Sequence, residues 1–450
     1  MPGRNSVVQC VVVSIAGAVM AIALVCAPTM AAADTLREVL AEVFARNPSV
    51  NAARRTVRAT RETITEAEAG YKPVVNFEAY KTGTRERVAP PVTLDNRSIR
   101  SSALTIVQPV FDGFKTRNAV RQAEANLSGA VDGLRNTTQN TLQTAVQAYV
   151  DILRDTAILD LQQKNLGVLT EQVRVTRAQL AAGDVRPSDV SQTEARQAAA
   201  RAAVSLAQSN LKASQANFNQ VVGRPAGHLV EAPSVDRMIP PSLQELLETA
   251  YRAHPAIRSA RAVVEAAEAQ IHINRADLLP KVNLEGLVSD QYDTGIGNNL
   301  VTRDTVGQVL GRLTVPIYEG GLNRAKVREA METLEQRRFE LDAVRAMVRA
   351  AAETGWAALI SARVQITAST AQITAAQAAL DAVLAEAKAG IRTQLETLNA
   401  RKELLDARVA LVTAKHDRVL ASYVVLAAAG LLDPILPDDG GEWHTSTEKH

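Results

Sequence analysis

Pro109-Val110-Phe111-Asp112-Gly113-Phe114-Lys115-Thr116-Arg117 and, 207 residues further on, Pro316-Ile317-Tyr318-Glu319-Gly320-Gly321-Leu322-Asn323-Arg324 are two copies of one junction. Upstream of each, apolar residues recur with a period of two. Downstream of each, about 70 residues run without a proline and with helical spacing of apolar positions. Pro109 and Pro316 end a strand because they cannot donate to its ladder. Phe111 and Tyr318 suit the level of a membrane interface, and Asp112 suits the cap of the helix that follows, where Glu319 is a poorer cap. A chain that passes from strand to very long helix twice, through matched junctions, is built from two copies of one unit.

The rest of the sequence keeps the same offset. Pro48 matches Pro255, Pro73 matches Pro280, Gly183 matches Gly390, Leu36 matches Leu243, and Tyr149 matches Trp356. No insertion or deletion is needed between about residues 36 and 223. Surface loops normally tolerate insertion at low cost, so equal loop lengths imply two halves held geometrically equivalent. The period is too long for a solenoid. The expected organisation is a signal peptide over 1–33, a first repeat over 34–223, a linker rich in Pro and Gly over 224–242, a second repeat over 243–430, and a polar tail over 431–450.

Each repeat opens with a helix (Leu36 to Gly70 in the first) that stops at Pro73 or Pro280. Strands follow. Val75, Phe77 and Ala79 share one face, with Asn76, Glu78 and Tyr80 on the other; Val282, Leu284, Gly286 and Val288 oppose Asn283 and Glu285. Such alternation fits a strand with one face in lipid, and also a small soluble sheet. Turn-rich segments at 83–98 and 290–304 lead into return strands near 100–109 and 307–316, so each repeat carries a hairpin of two strands of about ten residues, long enough to cross a bilayer when tilted. Four strands cannot close a barrel, and lipid does not tolerate open edges. A membrane location therefore requires several chains; three would give twelve strands.

The helical run from about 114 to 182 would span on the order of 100 Å, as would its copy over 321–389. Both end at a glycine turn, Gly183-Asp184-Val185 and Gly390-Ile391, and second helices return over about 189–222 and 394–429, with Ser188 and Thr393 near their starts.

The N-terminus reads as an export signal: Arg4, the apolar run Val7–Val25, and the small residues Ala31-Ala32-Ala33 before Asp34. The run is also long enough for a retained anchor. Cys10 and Cys26 both lie in the expected signal, so the mature chain would have no thiol for a disulfide, a metal or a nucleophile. A net charge of +2 over 450 residues gives no electrostatic case for nucleic acid. His228, His254, His272 and His416 lack metal-ligand spacing; His254-Pro255 matches Asn47-Pro48, which points to a local turn. Gly295-Ile296-Gly297 lacks the remainder of a dinucleotide loop. No cofactor is expected.

Signal, duplication, proline-bounded strand hairpins and long helical hairpins together resemble the TolC-type outer-membrane efflux protein family over about residues 35–430. The most specific segments are PVFDGFKTR, PIYEGGLNR and the tip GIRTQLETLNAR. The resemblance implies a mixed α and β membrane protein: a homotrimer with a twelve-stranded β-barrel in the outer membrane, four strands per chain, continued by a long α-helical barrel of coiled-coil hairpins across the periplasm. It implies as partners a periplasmic adaptor protein and an inner-membrane transporter, with outer-membrane lipid around the barrel. It also assigns roles. Glu396 and Asn399, one helical turn apart, match an acidic pair that narrows the periplasmic entrance, with an amide here in place of the second acid. Arg392 matches an arginine that ties the second hairpin to the first, whose partner position is Asp189 beside Ser188. Gly183, Asp184, Val185, Gly390 and Ile391 would present the tips to the adaptor.

A structural or adhesive periplasmic coiled coil with no pore is the alternative. It accounts for the helices but not for matched strands with one apolar face. A secreted enzyme has no catalytic grouping behind it.

Overall fold

Asn47-Pro48 and His254-Pro255 settle how each repeat begins. Proline fits the first position of a helix, where its missing N–H is not needed, so a new helix starts there instead of one continuing. The computed structural model describes residues 34–88, 93–294 and 301–432. In it the single helix expected over 36–70 is two, α1 (Leu36–Arg46) and α2 (Pro48–Glu68). The Asn47 side chain accepts the Ser49 N–H at 2.9 Å and donates to Val221 O at 2.9 Å. In the second copy His254 Nδ1 accepts the Ala256 N–H at 3.2 Å, between α5 (Leu243–Ala253) and α6 (Pro255–Ala276). The expected signal peptide and its cleavage site, Gly295 and Gly297, and the tail beyond residue 432 lie outside the described residues.

The strands are longer than the ten residues expected: β1 (Val74–Val88), β2 (Thr93–Phe111), β3 (Lys281–Thr294) and β4 (Val301–Thr314). Much of the polar sequence read as turn is strand, because ladder pairing satisfies the backbone whatever the side chains are. The order is β1-β2-β3-β4, antiparallel throughout, so the two hairpins join through β2 and β3 into one sheet. Phe77 lies opposite Leu104, Leu104 opposite Val288, and Val288 opposite Gly307. Since directly paired residues share a face, this register merges the two apolar faces into one. Asn76, Thr105, Leu287 and Gln308 form a row on the other face, where Arg312 also pairs with Glu285 at 2.7 Å.

After the sheet, Asp112 accepts the Lys115 N–H at 3.1 Å and the Thr116 N–H at 2.6 Å, capping α3 (Lys115–Ala182). Glu319 meets the Asn323 side chain before α7 (Leu322–Lys388). Gly113 has φ +72°, and a Cβ there would lie 2.7 Å from Ala276 O. The next residue, Phe114, is also left-handed at φ +67°, where its counterpart is Gly321; an edge-to-face contact with Phe111, centroids 5.2 Å apart, offsets that strain. The 68 residues of α3 and 67 of α7 make rods on the order of 100 Å. Helices α4 (Pro187–Val222) and α8 (Gln394–Ala429) return beside them.

The helices form a wall one layer thick. Near the sheet the neighbours run α2, α3, α6, α7; towards the tips they run α4, α3, α8, α7. The largest apolar cluster lies midway, where α1, α3, α4 and α8 meet around Tyr149, Phe218 and Tyr423. The Tyr149 hydroxyl is 2.8 Å from Asp34 O and 2.6 Å from Val230 O, and accepts the Val230 N–H at 3.1 Å. Arg224 meanwhile clamps the Asp34 carboxylate. The start of the first repeat is thus fastened to the linker between repeats.

Candidate functional site at the helical tips

Both hairpins turn on a left-handed glycine, a conformation open to glycine at no steric cost: Gly183 at φ +83° and Gly390 at φ +75°. In the first tip the Asp184 N–H donates to Gln179 O at 2.9 Å, closing the end of α3. Pro187 begins α4, and the Asp189 carboxylate accepts the Arg186 N–H at 3.0 Å. Asp189, not Ser188, therefore supplies the helix start, and Ser188 is exposed. Gly183 and Asp184 are exposed and Val185 half-exposed.

The second tip is tied more closely. The Ile391 N–H donates to Glu386 O at 2.9 Å, and the Ile391 side chain stands 74% exposed. Thr393 and Glu396 cap α8 reciprocally: Glu396 Oε2 accepts the Thr393 N–H at 2.8 Å, and Thr393 Oγ1 accepts the Glu396 N–H at 3.3 Å. Arg392 reaches Glu386 at 2.6 Å and Glu396 at 2.7 Å. The Thr393 N–H foremost, then the Arg392 guanidinium and the Thr393 hydroxyl, hold the Glu396 carboxyl down at about 2. Glu386 and then Glu396 raise the Arg392 guanidinium further above its ordinary value. Glu396 is thus an anion at any physiological pH, with an arginine already beside it.

The structure brings Arg392 and Glu396 together but does not bring Arg392 to Asp189 within the chain; each is engaged in its own hairpin. The hairpins meet through other residues. The Arg196 guanidinium on α4 donates to Asn399 Oδ1 on α8 at 3.1 Å, and Leu398 packs on Leu169 and Ala200. The amide that replaces an expected acid therefore accepts a hydrogen bond from across the hairpins.

Farther along α8 lies a larger polar joint. His416, 9% exposed, is 2.8 Å from Asp151 on α3 through Nε2 and 2.8 Å from Asp417 through Nδ1. Arg154 pairs with Asp151 and Asp155 at 2.8 Å each, and Ser214 on α4 donates to Asp155 at 2.5 Å. Burial would lower the imidazole's pKa, but hydrogen bonds to the two carboxylates outweigh it and raise it. Neither Arg196 nor His416 is marked in the sequence: their partners lie 203 and 265 positions away, and no local spacing relates them. Among the described residues no group of His, Cys, Asp and Glu could hold a metal, and no helix is long and apolar enough to cross a membrane.

This geometry has close relatives. The Outer membrane efflux protein BepC of Brucella suis is 36% identical over 418 residues, 92% of this chain and 90% of that one. The Alkaline protease secretion protein AprF of Pseudomonas aeruginosa is 26% identical over 246 residues, 54% of this chain and 51% of its own. The crystal structure of the outer membrane protein VceC from Vibrio cholerae superposes with a TM-score of 0.74 at 19% identity, over 88% of this chain and 96% of that one. The sequence model of the outer membrane efflux protein family matches twice, over residues 39–224 and 246–431, with the same offset of 207 residues as the internal repeat. The chain belongs to the outer membrane efflux protein family.

Proposed function

We propose that three copies of this chain form an export duct through the outer membrane, carrying small molecules or proteins from a pump complex in the inner envelope to the exterior. One observation carries the reading: a sheet with one continuous apolar face and two unpaired edges, β1 and β4, stands at the head of a helical wall. In lipid such edges must be closed, and they are complementary, since β1 of one copy can pair with β4 of the next. Three copies give a twelve-stranded barrel and a helical tube of the same threefold symmetry. A leader over 1–33 would be removed on export, and residues 34–223 and 243–430 would serve as the two structural halves joined by 224–242.

The wall would contact cargo loosely, so selection and energy would belong to an inner-membrane transporter coupled through a periplasmic adaptor at the tips: Gly183, Asp184, Val185, Gly390 and Ile391. Glu396 and Asn399 would narrow the entrance. Opening would swing the second hairpin away from the first, breaking Arg196–Asn399 while Arg392 keeps the tip intact. The strand-to-helix junctions at Pro73, Pro109, Phe111, Pro280, Pro316 and Tyr318 would lie at the periplasmic face of the outer membrane.

The mature chain lacks cysteine, so paired cysteines test closure directly. Within one chain Ala79 on β1 and positions 303–309 on β4 are three strand spacings apart, roughly 14 Å, beyond disulfide reach. Ala79→Cys combined with a cysteine scan of 303–309 is expected to give cross-linked species that stop at three chains. Uncross-linked monomers throughout the scan, or ladders continuing past three, would overturn the reading.

A further inference from the structure

Lys81 and Arg100 lie directly opposite each other on β1 and β2, and the row continues through Tyr292 to Arg303. These residues share the face that carries Phe77, Leu104 and Val288. Arg303 is engaged by Asp290 at 2.9 and 3.1 Å, and Thr305 donates to the same carboxylate at 3.0 Å. Lys81 and Arg100 have no hydrogen-bond or ion-pair partner among the described residues, and both are exposed. Like charges directly opposite in a sheet repel, so this pair is unfavourable until an anion joins it.

The surroundings suit one kind of anion. Ala79 and Ser102 lie one row below the two cations, and Gly83 and Ser98 one row above. A Cβ added at Gly83 would meet nothing within 4 Å. The two cations therefore stand in an open, shallow socket with small residues on either side. Below it come Phe77 and Leu104, then Val75 and Ile106, 56% and 41% exposed.

The height is also right. The lowest row of this face is Phe111, Val282 and Leu313. From Val282 to Tyr292 is roughly 33 Å along the strand. Tilted as barrel strands are, that becomes about 25 Å, the height of an apolar band in outer-membrane barrels. With Phe111 at the inner interface, the row of Lys81 falls at the outer one, where Tyr292 is also at home. Lysine and arginine together are a phosphate-binding set, and their stems can lie along the apolar rows while the charges reach headgroups.

We propose that Lys81 and Arg100, with Tyr292 beside them, hold a phosphate of an outer-leaflet lipid headgroup, one such site on each copy. This rests on the reading of the sheet as part of a membrane barrel.

The test is native mass spectrometry of the full chain, extracted from membranes and mixed with bisphosphorylated lipid A or with the same glycolipid stripped of phosphate. Wild-type protein is expected to carry the phosphorylated form and not the stripped one. Lys81→Ser with Arg100→Ser should reduce that adduct at least about tenfold, whereas Lys81→Arg should retain it. Equal adducts in wild type and double variant, or equal uptake of the two glycolipids, would overturn the proposal. Insertion into vesicles, measured on the same samples, separates the two claims. Protein that inserts without phosphate preference removes only the lipid site, while protein that never inserts removes the barrel reading as well.

Discussion

Helices α3 and α7 occupy the same place in the two repeats and differ by one residue in length, yet they live in different surroundings. Helix α3 packs on α1, α2, α4, α6 and α8, whereas α7 packs on α5, α6 and α8. The contrast sharpens at one pair of equivalent positions. Asp132 on α3 is 3% exposed, between Arg135 and Arg258, each at 3.2 Å. Its counterpart on α7 is Phe339, 72% exposed, with Met347 at 70% farther along the helix. A carboxylate inside and a phenyl ring outside reverse the usual order. The repeat sets the element, but the place in the wall sets what each element must meet; in the proposed trimer the exposed face of α7 that carries Phe339 would meet another copy.

Exchanging those two residues breaks the comparison most severely. Phe339→Asp should leave the single chain stable within about 0.5 kcal/mol, as surface changes do, yet abolish the oligomer in detergent extracts, since an exposed aromatic anchor is the kind of residue that carries an interface. Asp132→Phe should do the opposite kind of damage: about 2–4 kcal/mol lost from overpacking and stranded arginines, measured by chemical denaturation. If both variants lose the same property, α3 and α7 are not in different surroundings.

Tyr149 gives the next effect. Tyr149→Phe removes the hydroxyl that links Asp34 and Val230 in a half-buried site, at about 1 kcal/mol. Trp356→Phe at the matched, half-buried position should cost less. Equal losses would mean that the seam between Asp34 and the linker is not special to the first repeat.

The joint at His416 predicts a pH dependence. Its folded pKa is raised above the ordinary 6.5, so the stabilisation is complete below about 6.5 and is lost as pH rises through the raised folded value. Denaturation midpoints should therefore fall over that window and flatten in His416→Gln. A profile identical in the two proteins would remove the imidazolium from the joint. The smallest effect is expected at the tips. Asn399→Asp should strengthen the bond to Arg196 by less than about 1 kcal/mol, as exposed pairs do, visible as a lower open probability without any change in unfolding.

Much of the fold was legible because it rests on local signals. The prolines at 73, 280 and 316 mark where the period changes, and the glycines at 183 and 390 mark where the hairpins turn; Pro109, expected to end its strand, lies inside β2, which continues through a bulge to Phe111. The break at Pro48 was legible in kind but was read as a turn within one helix. Strand length is not legible, because polar residues at 83–88 and 290–294 look like turn until their backbone partners are known. At the tips, the sequence places Glu396 one turn from Asn399 but gives no sign that Arg392 would fold back on Glu386 and Glu396. The pairings that join the hairpins, Arg196 with Asn399 and His416 with Asp151, are set by helix packing and leave no spacing to read.

Conductance across a planar bilayer, wild type beside Arg392→Ser, decides whether this chain forms a duct narrowed at Glu396. A small conductance is expected in both forms, more cation-selective in the variant because Glu396 loses the arginine that shields it. Verified inserted oligomers that pass no current in either form would contradict the duct reading.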